Sequence, residues 1–322
     1  MMQEGKADRK NVCVASNSMP IIYDDKHHHF ELLDDFDLEK AVNEINAPLS
    51  VILQITRKCN FNCSFCSETV QIDDPTLLEL DVICGNLQGV QRVFLSGGEP
   101  LLRKDFVDIA GMFSKDHIVG LPTNSTPASK IAHELMGKIS FVNIGLEGPR
   151  ATTNRVRGDF DNILRGVYKF KDVGIPISFT AVVMRSIMQA LPFTFQIADI
   201  LQAGKLKLIL PIRKGNGKLL PENEFISEEE AGNLFSDLLN LRKTFEWRPS
   251  LRMTTWTREN EGYSILIYPN GETFAWPVYD AEDKVEHIGN IKFMTIQEIW
   301  KKYRFKKNHL TKYLGKSIRS VQ

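Results

Sequence analysis

No run in the sequence approaches the roughly 18 consecutive apolar residues that a membrane-crossing helix needs. Net charge is also missing: 40 Lys and Arg balance 40 Asp and Glu, so no chain-wide basic field points to nucleic acid and no acidic tail is visible. The opening residues, "MMQEGKADRKNV", lack the apolar centre of a secretory signal. A cytoplasmic, reducing location, with no membrane and no nucleic-acid partner, is the expectation. Cysteine is scarce, five in 322 residues, with none after Cys84. In a reducing compartment such cysteines are more often metal ligands or catalytic groups than disulfides. Three of them, Cys59, Cys63 and Cys66, fall within eight residues. A disulfide needs two, and a closed zinc site usually four ligands.

Other polar clusters are weaker signals. His27–His29 lie among acidic residues and read as an exposed turn, since no partner ligands are near in sequence. The basic stretch "KKYRFKKNHLTKYLGKSIRS" near the end reads as a solvated helix face and tail, with a polyanion contact as the alternative. Residues 30–46 are amphipathic but acidic, the wrong sign for an anionic lipid surface. Cys84, on a helical pattern with Leu78, Val82 and Leu87, reads as buried and inert; Cys13 lies in an unpatterned stretch.

From residue 50 a rhythm begins. Branched apolar runs at 50–56, 91–100 (running into a glycine-rich turn), 117–124, 140–148, 176–184 and 205–212 alternate with amphipathic stretches at 75–89, 104–115, 127–138, 159–174 and 188–204. Such alternation implies parallel strands joined by crossover helices. About six units fit an open doubly wound sheet or a partial barrel, and periodicity does not decide between them. In either, ligands bind at the carboxyl ends of the strands. The cysteine loop, Gly97–Pro100, Thr123-Asn124 and Glu147-Gly148 all fall there. After residue 213 the rhythm changes. A helix at 227–245 has a serine N-cap and an acidic first turn. "YSILIYPNGETFAWP" (263–277) reads as a hairpin, and 288–305 ends in an amphipathic helix.

Three thiolates on one short loop suit an iron–sulfur cluster in which one iron keeps an open position; a zinc knuckle is the alternative. Cys59-x3-Cys63-x2-Cys66, with Phe65 before the last cysteine, resembles the signature of the radical SAM (AdoMet radical) superfamily. Ser96-Gly97-Gly98-Glu99-Pro100 is similar to its GGEP element, Thr123-Asn124-Ser125 to its TNG segment with serine for glycine, Gly145-Leu146-Glu147-Gly148-Pro149 to its LDGP segment, and Arg155-Val156-Arg157-Gly158 to the IRG that follows. The resemblance covers about residues 50–305. It implies a partial (β/α)6 TIM-type barrel at 49–225, after an N-terminal extension at 1–48. It also implies a small α+β SPASM/twitch-like C-terminal region at 226–322. That region departs from the pattern, because Phe274-Ala275-Trp276-Pro277 stands where auxiliary-cluster cysteines normally begin.

The resemblance further implies a [4Fe-4S] cluster on Cys59, Cys63 and Cys66, its fourth iron chelated by S-adenosylmethionine. Phe65, Gly97, Gly98, Glu99, Thr123, Asn124, Glu147 and Arg157 become the expected cofactor contacts, with Gly97 and Gly98 letting the backbone approach AdoMet and Glu99 holding its amino group. Reductive cleavage of AdoMet, fed by a flavodoxin or ferredoxin, then yields a 5′-deoxyadenosyl radical that abstracts hydrogen from a substrate. One cluster, and only about fifty residues before the first barrel strand, favour a small-molecule substrate such as a sugar or nucleoside. A peptide-modifying maturase is the alternative. A non-catalytic iron–sulfur or zinc protein is the alternative of another class.

Overall fold

The computed structural model describes residues 21–24, 29–32, 38–254, 264–275 and 286–303. A hairpin comes first, β1 (Ile21–Asp24) and β2 (His29–Leu32), followed by helix α1 (Leu38–Glu44). The acidic stretch at 30–46 therefore divides between a strand and a helix. Of the three histidines, His29 opens β2; the other two lie outside the described residues, as do Trp276, Pro277 and the basic stretch from residue 304.

The repeating body follows: β3 (Ser50–Thr56), α2 (Leu77–Asn86), β4 (Arg92–Gly97), α3 (Phe106–Phe113), β5 (Ile118–Thr123), α4 (Ala128–Ile131), β6 (Phe141–Gly145), α5 (Arg150–Val156), α6 (Phe160–Asp172), β7 (Ile177–Val182), α7 (Leu191–Ile200) and β8 (Lys205–Ile209). These are the six expected strands, and each pairs in parallel with the next. Val51, Leu53, Val93, Leu95, Val119, Leu121, Phe179 and Leu206 are fully buried, alternating along their strands. They meet helix faces spaced three and four residues apart, such as Ile163, Val167 and Phe170 of α6. Each such side chain contributes about 1.5–3 kcal/mol by leaving water. On α2 the buried face is Leu80, Ile83, Cys84 and Leu87, while Leu78 and Val82 point outward. Cys84 is buried as expected, and burial pushes its thiol up to about 11.

The sheet extends beyond those six strands. Helix α8 (Glu228–Thr244) has the expected N-terminus: Ser227 and Glu230 form a reciprocal capping box. It is also a further crossover, leading to β9 (Ser250–Thr254), which pairs in parallel with β8. The expected hairpin is present as β10 (Ser264–Ile267) and β11 (Glu272–Ala275), extended by β12 (His287–Asn290) and helix α9 (Ile296–Lys302). It does not stand apart from the barrel, because β10 pairs in parallel with β3. The reason is burial: Ser264 to Ile267 are all inaccessible, and a strand covered on both faces belongs inside a sheet. Among the described residues ten strands thus form one sheet, β12-β11-β10-β3-β4-β5-β6-β7-β8-β9. Among the described residues its two edge strands, β12 and β9, are not paired with each other, so the barrel is partial.

The β1–β2 hairpin covers the N-terminal end of the barrel. Arg92, at the start of β4, donates to Ser50 Oγ at 2.9 Å and lies over the rings of Phe30 (4.7 Å) and Tyr23 (5.7 Å). The opposite, C-terminal end is left for the loops that carry the motifs.

Candidate active site

The cysteine loop spans 57–76, between β3 and α2, and is tied down at its base. Gly98 N–H donates to Thr56 O (2.9 Å) and Glu99 N–H to Lys58 O (2.8 Å). The two glycines exist for this approach. A Cβ on Gly97, which sits at φ +141°, would lie 2.0 Å from Thr56 O, and one on Gly98 would lie 2.3 Å from Lys58 O. The close neighbour at both positions is the chain's own backbone. Arg103 joins the two ends of the loop, donating to Ile55 O (2.8 Å) and Pro75 O (2.9 Å) while paired with Asp105.

Glu99 is fully buried behind this loop. Its Oε1 accepts from Thr123 Oγ1 (2.7 Å) and Leu101 N–H (3.0 Å), and its Oε2 from Asn124 N–H (2.7 Å). Burial outweighs these bonds and pushes the carboxyl up to about 7. Asn124 also reaches the cysteine loop, donating to Asn60 Oδ1 at 2.8 Å. Thr123 and Asn124 therefore connect β5 to both the carboxylate and the loop. Ser125 holds φ +62° where the resembling segment has glycine, and its hydroxyl donates to Ile163 O at 2.8 Å.

A second carboxylate forms the opposite wall. Arg157 grips the fully buried Glu147 through Nε (2.6 Å) and Nη2 (2.7 Å). Burial works against the guanidinium's charge, but Glu147 overrides it and holds Arg157 above its ordinary pKa. The guanidinium lies 5.1 Å from the Phe65 ring centroid and rests on Gly145, where a Cβ would clash with it. Cys63 Sγ faces Arg157 O at 3.7 Å, and Ser64 N–H donates to Val156 O at 2.9 Å. Arg155, by contrast, turns to Ser186 O at the surface.

The loop after β8 closes the rim from the far side. Asn216 N–H donates to Cys66 O (2.8 Å) and Asn216 Nδ2 to Cys63 O (2.9 Å). Lys214, nearly inaccessible, pairs with Glu68 at 2.8 Å and hydrogen-bonds Tyr268 OH. Glu68 also pairs with Arg57. Sequence reasoning missed this cluster because Lys214 and Glu68 are 146 residues apart.

Cys59, Cys63 and Cys66 are free thiols close enough for their charges to oppose one another. Burial raises Cys63 to about 11 and raises Cys59 as well, while Phe61 N–H donates to Cys59 Sγ at 3.4 Å. A donor set of three free thiols on one braced loop fits an iron–sulfur cluster by its chemistry. Every residue singled out from the sequence, Cys59, Cys63, Phe65, Cys66, Gly97, Gly98, Glu99, Thr123, Asn124, Glu147 and Arg157, lies in this connected set.

Residues 53–188 match the Radical SAM superfamily family model. Over that segment the chain resembles the radical SAM superfamily. A probable GTP 3′,8-cyclase of Pyrococcus abyssi is 30% identical over 206 residues, covering 60% of this chain and 63% of the relative. A PqqA peptide cyclase of Bradyrhizobium diazoefficiens is 32% identical over 178 residues, covering 50% of this chain and 46% of the relative. The chain thus spans less than two thirds of either. The Streptococcus suis SuiB structure bound to precursor peptide SuiA superposes with TM-score 0.69 at 14% identity, covering 88% of this chain and 69% of that one. A structure of anSMEcpe with AdoMet and the Cp18Cys peptide gives TM-score 0.65 at 19% identity, covering 81% and 82%. These structures share the mixed α/β partial-barrel fold. No helix among the described residues is long and apolar enough to cross a membrane.

Proposed function

We propose that the chain binds a [4Fe-4S] cluster through Cys59, Cys63 and Cys66, cleaves AdoMet reductively, and uses the product to take hydrogen from a small-molecule substrate inside the barrel. The observation that carries this reading is the backbone and side-chain lattice joining residues 97–99 to Thr56, Lys58, Thr123 and Asn124. It fixes a desolvated carboxylate, Glu99, directly behind the cysteine loop. When bound, the cluster and AdoMet supply one-electron bond cleavage and hydrogen abstraction. The chain's own residues brace the ligand loop, offer Glu99 to a cationic amino group, and keep Arg157 oriented through Glu147. The loop after β8 covers the rim and limits water at the site. A low-potential flavodoxin or ferredoxin is the electron donor in this scheme.

A small-molecule substrate is supported by the sequence relatives that are GTP cyclases. A peptide substrate is the second reading, supported by the PqqA peptide cyclase match. The two separate on one experiment. Anaerobically reconstituted protein with dithionite and AdoMet is offered a size-fractionated cell extract, and 5′-deoxyadenosine is measured. Stimulation by the small-molecule fraction is expected; stimulation by the peptide fraction alone refutes the small-molecule reading.

A further inference from the structure

The inner face of the barrel carries two cationic side chains, Lys207 and Arg252, with no partner among the described residues. On β6 to β9 the fully buried residues Ile144, Phe179, Leu206 and Leu208 face the helices. Their alternates face the interior. Thr180, Lys207 and Arg252 are successive register partners across β7, β8 and β9, and Thr180 is paired with Gly145, on which Arg157 rests. At about 4.8 Å per strand, Lys207 lies roughly 10 Å from that point of the site. Among the described residues neither the Lys207 nor the Arg252 side chain has a hydrogen-bond or ion-pair partner, and Arg92 adds a third positive charge below. Burial and Arg92 together push Lys207 down to about 8. Like charges opposite one another on neighbouring strands are destabilising. One row down, the register partners Asn143 and Ser178 bury Oδ1 and Oγ with no hydrogen-bond partner among the described residues. Buried polar atoms left this way are rare and call for a ligand or water. Phe94 and Phe141, 5.8 Å apart edge to face, supply an apolar surface on the same inner wall.

We propose that this row is a substrate-anchoring subsite, in which Lys207 and Arg252 jointly grip an oxyanionic group of the substrate, a phosphate or a carboxylate, and Asn143 and Ser178 bond its neutral polar atoms. The assignment rests on the reading of the barrel as an active site, and it narrows the substrate class to anionic small molecules. A guanidinium fork beside a mobile ammonium suits either oxyanion.

Calorimetric titration of the anaerobically reconstituted, AdoMet-loaded full chain with inorganic pyrophosphate and, separately, with malonate tests it. At least one anion is expected to bind, pyrophosphate preference indicating a phosphate-bearing substrate and malonate preference a carboxylate. Lys207→Met and Arg252→Met each weaken that anion by about tenfold or more, and Lys207→Arg retains most of the affinity. Lys207→Met also melts no lower than wild type, because it removes a desolvated cation, so lost binding is not lost folding. Wild-type protein that binds neither anion, or Lys207→Met that binds as wild type does, overturns the proposal. A chain that binds pyrophosphate through Lys207 yet releases no 5′-deoxyadenosine upholds the subsite and refutes the catalytic reading.

Discussion

Alanine at position 98 distinguishes a glycine that serves the chain from one that serves a ligand. An added Cβ would lie 2.3 Å from Lys58 O, 2.6 Å from Lys58 C and 2.8 Å from Arg57 O, all backbone atoms that no rotamer change can move. Ordinary contact requires the two segments to part by about 1 Å. That motion breaks the bonds from Gly98 N–H to Thr56 O and from Glu99 N–H to Lys58 O. Each is worth about 1 kcal/mol when exchanged for water and up to about 3 kcal/mol when its groups stay buried and unpaired. A total cost of about 3–4 kcal/mol is expected, which lowers Tm by about 5 °C in a chain of this length. The assay is thermal unfolding of the protein without iron or AdoMet, followed by circular dichroism. If Gly98→Ala melts with the wild type and only its AdoMet affinity falls, the argument from the chain's own backbone is wrong.

Three further outcomes follow from the site. Glu147→Gln removes the charge that neutralises a largely buried guanidinium, and a loss of about 3–5 kcal/mol in urea denaturation is expected; unchanged stability would mean that Arg157 finds another partner. Glu99, raised from 4.5 to about 7, binds its proton more tightly folded than unfolded. Its contribution is therefore fully present below about pH 4.5 and lost as pH rises through 7, a change of about 3 kcal/mol; Glu99→Gln should flatten the apo protein's stability profile across that window, and an unaltered profile would contradict the assignment. Ser125→Gly relieves a left-handed residue but gives up the hydroxyl bond to Ile163 O, so the two effects nearly cancel and Tm should stay within about 2 °C.

The barrel was legible because its strands are branched apolar runs buried under helices, a pattern that survives in one dimension. Strand β9 escaped notice because "SLRMT" is short and places Arg252 on the interior side, so it carries no apolar run. The hairpin's shape was readable from its turn, but its attachment beside β3 is a long-range pairing that no local signal announces. In the site, the residues that come together were legible and the bonds among them were not. Glycines 97 and 98 read as ligand contacts from the motif alone; that they seat the cysteine loop needed the fold. Thr123 and Asn124 read as cofactor contacts and are found bonded to Glu99 and Asn60. The Lys214–Glu68–Arg57 cluster and the unpartnered Lys207 exist only once β8 is brought around the barrel.

The central claim is that Cys59, Cys63 and Cys66 hold a cluster that cleaves AdoMet. Anaerobic reconstitution, iron analysis and measurement of 5′-deoxyadenosine after dithionite reduction test it directly, with Cys63→Ala beside the wild type. About four irons per wild-type chain, with 5′-deoxyadenosine released by the wild type and not by Cys63→Ala, is the predicted result. Wild-type protein that loads iron and releases no 5′-deoxyadenosine, or Cys63→Ala that releases it at the wild-type rate, would contradict the account.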